Sequence, residues 1–69
     1  MEFNYSNLLG RMRAHGFTQE KLAEVVGINK ATLNAKLNNK NSFTAPEIEI
    51  IRVSLDIAED EMYKYFFAK

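Results

Sequence analysis

The chain has no cysteine and no tryptophan, a single proline, three glycines and no excess of either charge. Without cysteine there is neither a disulfide nor a cysteine-ligated zinc site, so the fold must rest on packing and hydrogen bonds. No segment approaches the roughly 18 consecutive apolar residues that a membrane span needs. The start of the chain lacks a charged stretch leading into an apolar run, so no signal peptide is expected and the cytoplasm is the expected address. At 69 residues and 46% apolar content, residues 1–69 are expected to form one domain with a modest stability margin.

A net charge of zero argues at first against a nucleic-acid partner, but the distribution is uneven. Residues 11–40 carry Arg11, Arg13, Lys21, Lys30, Lys36 and Lys40 against Glu20 and Glu24, a balance of +4. Residues 41–69 carry Arg52, Lys64 and Lys69 against Glu47, Glu49, Asp56, Glu59, Asp60 and Glu61, a balance of −3. Such polarity suits a molecule with one side turned to a polyanion, although solvated charged faces are common.

Apolar pairs five residues apart, with a short polar residue just inside, have the spacing of a hydrophobic staple around a helix cap. They occur at Phe17/Leu22 with Thr18, Ile28/Leu33 with Asn29, Phe43/Ile48 with Thr44 and Phe3/Leu8 with Asn4. Ile57/Met62 fits the frame too, but Ala58 offers no cap oxygen and only Glu59, Asp60 and Glu61 favour a helix start there. Thr44 and Glu47 have capping-box spacing, and Pro46 is tolerated in a first turn. With breaks at Gly16, Gly27, 38–42 and 55–57, the pattern predicts five helices near 4–14, 18–26, 29–38, 44–54 and 58–67 and no strand. The periodicity predicts a core of Leu8, Met12, Leu22, Val25, Val26, Leu33, Leu37, Ile48, Ile51, Leu55, Met62 and Phe66. Ala23 is expected to be small because the next helix crosses above it.

The stretch TQEKLAEVVGINKATLNAKLNNK, residues 18–40, sets two short helices around Gly27, which is expected at positive φ. Two short helices on a tight glycine turn make a helix-turn-helix, whose second helix enters the DNA major groove. The groove-facing residues are then Lys30, Ala31, Thr32, Asn34 and Ala35. Lysine can donate to guanine O6 or N7, asparagine can pair with adenine N6 and N7, and Ala31 or the Thr32 methyl can touch a thymine methyl. Asn29, Asn38, Asn39, Lys40 and Ser42 are expected phosphate ligands, while the same loop also reads as an ordinary asparagine-rich turn. Arg11 and Arg13 are either further phosphate ligands or solvated arginines.

TQEKLAEVVGINKATL resembles the helix-turn-helix of lambda-type phage repressors and Cro proteins, through Gln19, Leu22, Ala23, Gly27, Ile28 and Leu33. KLNNKNSF, EIEII and the aromatic tail look like small prophage-encoded members, so that the resemblance covers about residues 5–67. It implies an all-α, five-helix lambda-repressor-like DNA-binding domain, with the motif at helices 2 and 3 and Gln19 on a phosphate. One departure stands out. The family's apolar residue three after the position of Leu33 is here Lys36, so the end of this helix is expected to be rotated or extended by a residue.

No glycine-rich phosphate loop or catalytic triad is present, and His15, the single histidine, has no second ligand nearby in sequence. Neither an enzyme, a metal site nor a cofactor is expected. In the aromatic end, Met62 and Phe66 share the core face, while Tyr63 and Phe67 point about 100° away. These two either meet a second subunit or lie over Tyr5 and Leu9. The leading expectation is a transcriptional regulator that binds double-stranded DNA as a weak homodimer. The alternative is a protein-interaction module, antirepressor- or antitoxin-like, on the same fold.

Overall fold

In the computed structural model, which describes residues 2–69, the chain forms α1 (Ser6–Ala14), α2 (Gln19–Val26), α3 (Lys30–Leu37), α4 (Ala45–Ser54), a 3-10 turn (Glu59–Glu61) and α5 (Met62–Phe66). The architecture is all-α, with no strand among the described residues. Among the described residues no helix is long and apolar enough to cross a membrane.

Three helices begin where a short polar side chain can close the first turn. Thr18 Oγ1 accepts from the Lys21 amide at 3.0 Å, and Asn29 Oδ1 accepts from the Thr32 amide at 2.7 Å. At α4 the box is complete: Thr44 Oγ1 accepts from the Glu47 amide at 3.3 Å and Glu47 Oε1 accepts from the Thr44 amide at 2.8 Å. The other two starts depart from expectation. Asn4 Oδ1 accepts from the Ser6 amide at 2.8 Å, which makes a turn ahead of the helix and delays α1 to Ser6. At the fifth start no side chain caps the amides after Ala58, and the chain winds one 3-10 turn before the five residues of α5.

The first four helices are each followed by a residue at positive φ: Gly16 (72°), Gly27 (89°), Asn39 (64°) and Asp56 (54°). At Gly27 a β-carbon would meet nothing within 4 Å. Glycine is needed there for the left-handed backbone and not for clearance. The Asp56 bend is braced from α1, where Arg11 donates to the carbonyls of Leu55 at 2.9 Å and Asp56 at 2.6 Å.

One cluster forms the core, including Leu8, Met12, Leu22, Leu33, Ile51 and Phe66. α2 packs on α3 and α4, and α1 packs on α5. Ala23 is buried as expected. Val25 is not, at 38% exposure, because Leu22, Ala23 and Val26 already make the inward stripe and leave Val25 at its edge. Met62 and Leu37 are only half-buried, whereas Tyr5, Ile57 and Tyr65 join the core. α5 is so short that it lies in the core with two adjacent residues, Tyr65 and Phe66.

Candidate nucleic-acid interface

The geometry of α3 follows from its turn and its cap. Gly27 bends the chain out of α2, its amide closing on the Ala23 carbonyl at 2.9 Å, with the Ile28 amide on the same oxygen at 3.0 Å. Asn29 then starts α3 only two residues later. Leu33 and Lys36 turn inward, which leaves Lys30, Asn34, Asn38, Ala31 and Ala35 on an outward arc of about 140° at 100° per residue. Lys30, Ala31, Asn34 and Asn38 are exposed, and Thr32 and Ala35 are half-buried. The arc offers one cation, two primary amides and two methyl groups.

Three expected contact residues form a chain of amides across the two helices. Asn38 Nδ2 donates to Asn34 Oδ1 at 3.1 Å and to the Asn34 carbonyl at 2.8 Å. Asn34 Nδ2 donates in turn to Gln19 Oε1 at 3.3 Å. A primary amide has two N–H groups and two acceptor lone pairs, so each member keeps hydrogen-bonding capacity for a ligand. This linkage of Gln19, at the start of α2, to Asn34 in the middle of α3 orients an otherwise flexible side chain.

Two expected ligands are engaged elsewhere. Asn39 lies outside the arc: its Oδ1 accepts from the Phe3 amide at 2.8 Å and its Nδ2 donates to the Phe3 carbonyl at 2.9 Å. Its amide therefore clamps the N-terminal segment to the loop. Asn29 has its oxygen in the α3 cap, which leaves only its N–H groups for another partner. Lys40, Asn41 and Ser42 are exposed on the same loop. Arg11 is half-buried and braces α4, while Arg13 is exposed.

Lys36 corrects the expectation about the end of α3. The helix is neither rotated nor extended, and Lys36 occupies the inward position itself. Its Nζ reaches Glu47 Oε1 at 2.6 Å, the oxygen that also closes the α4 capping box. Burial pushes the Glu47 carboxyl up, but hydrogen bonds from Lys36 and from the Thr44 amide outweigh it and hold the group below the ordinary carboxylate value. The ion pair ties the end of α3 to the start of α4. The signal for it in the sequence was a lysine in a core register, which calls for a carboxylate, but spacing alone does not choose among six acids in 41–69.

The match with known families covers the whole chain, residues 1–69, and the family is described as "Protein of unknown function (DUF739)". The chain belongs to this family. No curated protein matches it. The outward arc of α3, the Gln19–Asn34–Asn38 amides and the loop beyond them are therefore interpreted from their own chemistry.

Tyr63, at 68% exposure, is free of the core, and Phe67 is packed edge-on against Phe3 with ring centroids 5.8 Å apart. Of the two expected interface aromatics, Phe67 is thus partly satisfied within the chain. Val53 and Ile50 add exposed apolar surface on α4.

Proposed function

We propose that the protein is a sequence-specific DNA-binding transcriptional regulator of the lambda-type repressor and Cro kind. In this reading α2 and α3 act as a helix-turn-helix and α3 lies in the major groove. The observation that carries it is the outward arc of α3, with Asn34 held by Gln19 across a glycine turn. Lys30 donates to guanine, Asn34 pairs with adenine, and Ala31 and Ala35 supply methyl contacts, with the half-buried Thr32 beyond the edge of the arc reaching only a neighbouring methyl. Gln19, Asn38, Lys40 and Ser42 take phosphates, joined by the free N–H groups of Asn29, and the clamp by Asn39 gives the loop its shape. Asn39 itself is not assigned a phosphate.

A single unit of this size covers one half-site, and specific affinity with so few base contacts usually needs two copies. The proposal therefore includes a weak twofold homodimer centred on Tyr63, with the packed Phe67 at its margin and recognition helices roughly 34 Å apart. Acidic surfaces that meet across a twofold repel, which keeps the free dimer weak.

Electrophoretic shifts on the chain's own upstream DNA at 50 and 200 mM salt test the reading. Binding through several phosphates should weaken steeply between those concentrations. A tight, salt-tolerant protein complex with no DNA shift would favour the protein-interaction module instead. Sedimentation with a palindromic site should give two protomers per duplex, and one protomer at saturation would contradict the dimer.

A further inference from the structure

Five of the eight aromatic residues gather around one cleft: Phe3, Tyr5, Phe43, Phe66 and Phe67 line it together with Ile48. Ser42 is the remaining lining residue, an exposed hydroxyl. Among the described residues no charged side chain lines the cleft, whose volume is about 150 Å³. The walls come from three separate parts of the chain, namely the N-terminal segment, the loop between α3 and α4 with the first turn of α4, and the C-terminal end of α5. Phe43 stands edge-on to Tyr5 at 5.5 Å and to Phe66 at 6.0 Å, and Phe3 stands edge-on to Phe67 at 5.8 Å.

We propose that this cleft is a binding site for a neutral, single-ring aromatic molecule of the size of phenol. Size, polarity and ring geometry agree. A cavity of about 150 Å³ lined by apolar side chains holds one benzene-sized ring. An uncharged lining would have to desolvate an ionised ligand without compensation, so the ligand is neutral. The walls already use edge-to-face packing, and an added ring finds more of the same contacts, with Ser42 to hydrogen-bond a single hydroxyl. The cleft is too small for a helix or strand of another protein. The proposal does not rest on the DNA-binding reading: none of the α3 arc lines the cleft, and the two readings share only Ser42, there given to a phosphate, and Phe67, at the margin of the dimer.

The test is titration of the full chain with phenol and, separately, with benzoate, followed by amide NMR and thermal melts. Phenol should shift the amides of Phe3, Ser42 and Phe43 saturably and raise Tm by roughly 10 °C at ten times its Kd. Benzoate at equal concentration should do neither. Ser42→Phe, which puts a ring across the cleft from an exposed position, should abolish the response. Should that variant not fold, Phe67→Trp, which fills the cleft from the half-exposed end of α5, serves the same purpose. Val53→Ala, on the exposed face of α4 and outside the cleft, should respond as the parent does. Shifts that do not saturate, shifts spread over Ile50 and Val53 on α4, or an equal response to benzoate would overturn the proposal. So would persistence of the response in a folded cleft-filling variant. Movement of the same three amides with protein concentration alone would put a second copy's side chain in the cleft and overturn it as well.

Discussion

α3 and α5 are both short, yet they are held in opposite ways. α3 is fixed at every level: a side-chain cap at Asn29, a left-handed stop at Asn39, Leu33 in the core and an ion pair from Lys36 to α4. α5 has no side-chain cap, is preceded by a 3-10 turn and depends on Tyr65 and Phe66 for its place. Short helices are marginal on their own, so each needs tertiary support. The difference teaches that a helix meant to present side chains outward is oriented by polar devices, whereas one that closes a core needs only its apolar residues.

The largest expected effect is on the packing side of this comparison. Phe66→Ala should cost roughly 3–5 kcal/mol, a large part of the stability of so small a domain, measured by urea unfolding. A loss under about 1 kcal/mol would mean that α5 is dispensable to the core.

Next comes the ion pair of α3. Lys36→Ala should cost roughly 3 kcal/mol because it leaves the Glu47 carboxylate half-buried without its cation. The sign with pH follows from the lowered pKa of Glu47. Its contribution is full above the ordinary value of 4.5 and is lost as pH falls through the lower folded value. Melts of the parent and Lys36→Ala should therefore converge in acid. A constant gap from neutral pH down to full protonation would show that the charge pair is not what was lost.

Smaller effects test the turn and the caps. Gly27→Ala should cost about 1–2 kcal/mol from left-handed backbone alone, with no steric addition, because a β-carbon there is unobstructed. Thermal melts against Gly27→Asn, which tolerates that backbone better, should separate strain from clash. Asn29→Ala should lose about 1 kcal/mol. Ala58→Ser, at a residue already in extended backbone, should gain about 0.5 kcal/mol by supplying the missing cap. If both cap variants leave Tm unchanged, capping does not distinguish the two helices.

Much of this contrast was legible in the sequence, and the reason is local. Thr18, Asn29 and Thr44 announce three starts because a cap oxygen and its amide lie within three residues. Gly27 announces its turn because few other residues take that backbone. What was not legible depended on distant partners. Asn39 looks like any loop asparagine until Phe3 is folded against it, 36 residues away in sequence. Lys36 looks like a misplaced surface residue until Glu47 is beside it. The amide chain from Gln19 to Asn38 needs the crossing of α2 and α3 to exist. Tyr65 was missed because helical periodicity assigns a regular face, and five residues after a 3-10 turn do not supply one.

The central claim is that the outward arc of α3 reads bases. The most direct measurement compares the parent with Lys30→Ala and Asn34→Ala, each titrated on a specific operator and on unrelated DNA at one fixed salt concentration. Each variant should lose roughly 1–3 kcal/mol of discrimination between the two DNAs, with Asn34→Ala retaining nearly all of its non-specific affinity. Unchanged discrimination in both folded variants would contradict the account.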